Sequence, residues 1–150
     1  MKNAFGLTVT AAVVFLMISA AIAAATPAAR SATVTTARTG LGRVVADGTG
    51  RTLYLFEKDT ASHSGCSGAC AAYWPPLLTK GGAVAIKGVQ GSLLGTIRRS
   101  NGSRQVTYAG HPLYFFAGDT GRGQTNGQGL HDFGAGWYAL TPSGKKISRN

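Results

Sequence analysis

The chain has 150 residues, with five acidic side chains against 15 Lys and Arg and a formal net charge of +10. That length suits one sizeable core and leaves no room for a second independent domain of ordinary size. The charge favours polyanions as partners, namely envelope polymers, anionic lipid surfaces, or nucleic acid where any is met outside the cell, although a basic surface also serves solubility.

The N-terminus has the three parts of a secretory signal. Lys2 supplies the charged region, residues 9–21 are apolar, and the small residues at 21–25 suit a signal peptidase, so residues 1–25 read as a signal peptide cut near Ala25. An uncleaved anchor would need about 20 unbroken apolar residues, whereas Thr10 and Ser19 interrupt this run. No transmembrane anchor is therefore expected in the mature chain, whose charge is +9 without Lys2. The two cysteines, Cys66 and Cys70, stand far from the cut, so the protein is expected to be secreted or periplasmic at the cell envelope and not a lipoprotein. Residues 26–40 are small and polar without hydrophobic periodicity, which reads as a flexible leader. A single β-domain is expected over 41–150.

The strongest internal signal is a repeat. GRTLYLFEKDT at 50–60 returns as GHPLYFFAGDT at 110–120, and each copy is followed by a tryptophan, Trp74 or Trp137. Together with LGRV at 41–44 against LGTI at 94–97, this divides the domain into two repeats, about 41–80 and 93–148. Val, Thr, Tyr and Phe are dense, and turn residues separate short runs, so strands are predicted at 44–46, 52–56, 96–99, 104–108, 112–116, 137–140 and 145–148. Asn101-Gly102 marks a tight hairpin. Leu113 and Phe115 alternate with Tyr114 and Phe116, so the Tyr-bearing strands are expected to be covered on both faces. The one helical candidate is a short turn near 65–73, stopped by Pro75 and Pro76. The predicted fold is all-β: a compact, two-repeat, pseudo-symmetric sandwich or partial barrel of short antiparallel strands.

Tyr-x-aromatic-x-x-Asp occurs twice, as Tyr54, Phe56 and Asp59 and as Tyr114, Phe116 and Asp119. With CSGACAAYWPP at 66–76 and NGQGL at 126–130, it closely resembles the bacterial secreted-repeat family of predicted lipoproteins, whose function is uncharacterised. The resemblance covers nearly all of 41–145. It implies export and a two-repeat fold, and it names no substrate. The chain departs from the lipoprotein description in lacking the lipid-acceptor cysteine.

Chemistry is sparse. In an exported protein Cys66 and Cys70 are expected to form a disulfide, since residues four apart on a helical turn lie about 6 Å apart. An alternative is metal. His63, Cys66 and Cys70 would share one face if all were helical, giving soft S,S,N ligation for copper or zinc, with thiol redox exchange a further option for the pair. Asp59 and Asp119 invite a two-carboxylate hydrolase reading, but an Asp before Thr at a strand end naturally closes a turn. The glycine-rich 121–129 stretch lacks the G-x-x-x-x-G-K-[ST] spacing of a phosphate loop. Tyr54, Trp74, Tyr114 and Trp137 offer an aromatic platform, or a core. No catalytic constellation and no motif specific to nucleic acid emerges. The sequence points to an exported, non-enzymatic envelope or extracellular interaction module without a resident cofactor, binding an anionic cell-envelope polymer or surface.

Overall fold

The computed structural model describes residues 30–148. The expected signal peptide at 1–25 and the first part of the expected leader lie outside them. The rest of the leader is a correction: Thr33–Thr39 forms strand β1. Five of its seven residues are Thr or Val, stiff at χ1 and suited to extended backbone. Only Val34 among them is buried, so no hydrophobic alternation betrays the strand. β1 pairs antiparallel with β2 (Gly42–Asp47) and parallel with β4 (Val84–Ala85), giving a sheet of order β2-β1-β4. Thr39 Oγ1 closes the β1–β2 turn, accepting from Leu41 N and donating to Gly42 O.

The second sheet repeats the device. β5 (Leu94–Arg98) and β6 (Arg104–Tyr108) form a hairpin across the predicted Asn101-Gly102 turn, and β7 (His111–Pro112) completes the order β5-β6-β7. A two-stranded sheet joins the repeats, pairing β3 (Tyr54–Phe56) with β8 (Trp137–Ala139). The helical turn shrinks to α1 (Ala69–Tyr73). The fold is all-β in three small sheets and is not a closed barrel.

Backbone bonds reveal the pseudo-symmetry. Leu53 N donates to Val45 O as Leu113 N does to Val106 O. Val45 N donates to Leu140 O of the second repeat, and Val106 N to Leu77 O of the first. At the centre Tyr54 and Tyr114 exchange both backbone bonds, at 2.8 and 3.0 Å. Each repeat thus completes its pairing with a segment of the other, and β1, not LGRV, is the counterpart of β5. The predicted strand at 112–116 is regular only at Pro112. Beyond it Leu113, Tyr114 and Phe115 donate in turn to Val106, Tyr54 and Pro75. Pro75 and Pro76 lack the N–H groups a ladder needs, whereas Tyr138 and Ala139 at the equivalent place make β8.

The Tyr-bearing segments are covered on both faces, as expected. Leu53, Leu55 and Leu113 enter one core with Val34, Val45, Val106 and Leu140. Tyr54, Phe56 and Tyr114 enter the other with Trp74, Trp137 and the two cysteines.

Candidate functional site

The aromatic residues form the inside of the molecule. Trp74 and Trp137, one from each repeat, stack face to face with centroids 3.9 Å apart and planes 6° from parallel. Phe56 stacks on the outer face of Trp137 at 4.0 Å, and Phe116 tilts over Trp74 at 4.6 Å. Each phenylalanine covers the tryptophan of the other repeat. Tyr54 and Tyr114 meet Trp74 and Trp137 edge-on, at 5.5 and 5.2 Å. The platform reading of these four residues is therefore replaced by a core, because offset and edge-on pairs of large rings bury most area where both repeats converge. Trp137 Nε1 donates to Asp132 O, while the buried Trp74 Nε1 has no hydrogen-bond partner among the described residues.

The Tyr-x-aromatic-x-x-Asp motif acquires a reason here, since its tyrosine and aspartate do not bond each other. Tyr54 donates to Asp119 Oδ2 at 2.5 Å, and Tyr114 donates to Asp59 Oδ2 at 2.7 Å. Asp119 is buried and also accepts from the backbone N and Nδ2 of Asn126. Asp59 accepts from Gly65 N, and burial raises its carboxyl above the ordinary aspartate range. Burial first, then the carboxylate each one faces, pushes both tyrosine hydroxyls far above their ordinary value of 10. Both carboxylates are spent on separate hydroxyls from opposite repeats, an arrangement that offers no shared acid–base pair of the glycosidase kind.

The NGQGL stretch serves the same core. Asn126 caps Asp119, and Gln128 accepts from Ala139 N and donates to Ile147 O. Gly127 lies flat on the rings: a Cβ there would come within 2.8 Å of Trp74 and 3.0 Å of Tyr54.

Cys66 and Cys70 form the expected disulfide, with Cα atoms 5.3 Å apart and both residues buried. The shared helical face of His63, Cys66 and Cys70 does not exist. The helix starts at Ala69, His63 is exposed in a bridge to Thr60, and Gly68 at φ 54 breaks the chain direction between them. Among the described residues no three His, Cys, Asp or Glu side chains gather to hold a metal ion. Arg99, which stands out in the sequence only as half of the basic pair Arg98-Arg99, is buried beneath the disulfide loop and donates to Cys66 O, Ser64 Oγ and Gln105 Oε1. The exposed aromatic pair is Tyr73 with Phe133, whose φ of 57 is unusual for a bulky side chain. Neither lies in the repeated motif, so the repeat did not flag them.

The outer surface is predominantly basic. Among the described residues every Arg and Lys except Arg51 and Arg99 is exposed, and the only ion pair is Lys146–Glu57. Asp47 turns its carboxylate onto Thr49 and Arg51 N within its own turn. With Asp59 and Asp119 facing inward, four of the five acids are engaged within the protein. No helix among the described residues is long and apolar enough to cross a membrane.

No curated protein and no solved structure matches the chain. A family model described as a secreted repeat of unknown function matches it twice, over residues 35–78 and 95–141. Both matches begin inside the first hairpin of a repeat, in agreement with the pairing of β1 with β5. Two copies locked by reciprocal tyrosine–aspartate bonds are what such a repeat produces when it folds on itself, and the chain belongs to this secreted-repeat family.

Proposed function

We propose that the protein is an exported, non-enzymatic binding module for anionic polymers of the cell envelope. One observation carries this reading: two of the five acids, Asp59 and Asp119, turn toward tyrosine hydroxyls of the core, while every Arg and Lys among the described residues except Arg51 and Arg99 is exposed. With Asp59 and Asp119 committed to buried or half-buried tyrosine hydroxyls, the surface facing solvent has an excess of basic side chains. A predominantly basic surface concentrates polyanions, and salt screens the effect within about 8 Å at physiological strength.

Retention of the exported chain on purified envelope material is the test. Binding at low salt that is released by about 0.5 M NaCl supports the reading. Retention that ignores salt, or none at all, refutes it.

A further inference from the structure

The two hairpin tips share a feature that their own stability does not explain. In β1–β2, Arg38 is directly opposite Arg43, and in β5–β6, Arg98 is directly opposite Arg104. Directly opposed residues of an antiparallel pair project from the same face, where like charges repel. The pairs are equivalent: Arg43 and Arg104 each precede by two residues the valine, Val45 or Val106, that accepts from Leu53 or Leu113. All four arginines are exposed, and none forms an ion pair among the described residues. Arg43 Nη1 donates to Thr36 Oγ1 and Arg98 Nη1 to Gly102 O, which leaves most of each guanidinium fork open. At the first tip a pocket of about 340 Å³ is lined by Arg38, Thr39, Gly42 and Arg43, with no acidic side chain. The loop carrying Arg122 leans against it, for a Cβ on Gly123 would lie 3.1 Å from Arg38 O.

We propose that the paired-arginine tips are a duplicated binding site for the phosphodiester groups of an anionic envelope polymer. The proposal rests on the polyanion-binding reading and gives it a place and a chemistry. An anion seated between the opposed guanidinium groups converts their repulsion into two charge-assisted contacts. A phosphodiester suits two forks because its two non-bridging oxygens point in different directions from the tetrahedral phosphorus, so that each can accept from a different guanidinium. A polymer with repeated phosphates offers an anion to each tip, and a chain long enough to span the two makes its second contact at high effective concentration.

The test is fluorescence anisotropy of a labelled poly(glycerol phosphate) oligomer with the exported chain across NaCl concentrations. R38Q/R43Q and R98Q/R104Q should each weaken binding about 10-fold and lower the salt slope by about 1.4, and the quadruple variant should weaken it by about 100-fold or more. K58Q/K80Q removes the same charge from exposed lysines outside the tips and should stay within about 2-fold. These positions are on the surface, and thermal midpoints no lower than that of the unsubstituted chain verify that each variant is folded. Equal losses in the arginine and lysine variants would overturn the tip site while leaving general polyanion binding standing. Binding of polyglutamate but not of poly(glycerol phosphate) would overturn the phosphodiester chemistry. Tighter arginine-dependent binding of single-stranded DNA would overturn the envelope polymer as the occupant. No binding of any of these polyanions would sink both proposals.

Discussion

Replacing Asp119 by Ala tests the crossed lock between the repeats. The change removes the acceptor for Tyr54 Oη and for both donors of Asn126, at a residue only 2% exposed. Leaving the buried Tyr54 hydroxyl and the part-buried Asn126 N–H unsatisfied, at roughly 1–3 kcal/mol each, puts the cost at about 3–4 kcal/mol, while Nδ2 of the exposed Asn126 keeps Gly118 O and water. The equivalent Asp59→Ala should cost less, about 1–2 kcal/mol, because Asp59 is only partly buried and water can replace it. Urea unfolding followed by the fluorescence of the stacked Trp74 and Trp137 reads both. The decisive quantity is the double-mutant cycle. Y54F combined with D119A should show a coupling of about 2 kcal/mol, because either change already breaks the same bond. Y54F combined with D59A, two residues of one motif that do not bond each other, should add to within about 0.5 kcal/mol. Coupling of Tyr54 to Asp59 in place of Asp119 would refute the reciprocal arrangement and, with it, the account of why the motif occurs twice.

The tyrosines also predict an alkaline limit. Their folded-state values are raised above 10, so folding holds protons that the unfolded chain releases. The stability is complete below pH 10 and falls as pH rises, by about 1.4 kcal/mol per pH unit for each tyrosine. Urea midpoints at about pH 9 and 11 should show this fall in the native protein and not in Y54F/Y114F; an equal fall in both would remove the tyrosines as its cause. Removing the disulfide with C66A/C70A should cost about 2 kcal/mol, as expected for so short a loop, and calorimetry that finds no lower midpoint would assign Cys66–Cys70 no stabilising role.

The sequence by itself determined that the chain is all-β, that it contains two copies of one unit, and that Cys66 and Cys70 meet. Strand type follows from local residue preference, and a cysteine pair four apart needs only one turn of chain to close. The sequence could not show β1, because its threonines bury no periodic face and the strand is held by backbone bonds to β2 and β4. Nor could it show that Tyr54 reaches Asp119 and Tyr114 reaches Asp59, since a repeat is silent on whether its copies bond within or between themselves. His63 and the cysteines kept a plausible helical spacing only while the start of the helix was unknown; Gly68 and Ala69 decided that locally, and the core around Trp74 decided where the disulfide packs. The opposed arginines stand apart in the sequence, three of them isolated and Arg98 beside Arg99. Only the register of the two hairpins, a property of strand pairing and not of composition, brought them together in twos.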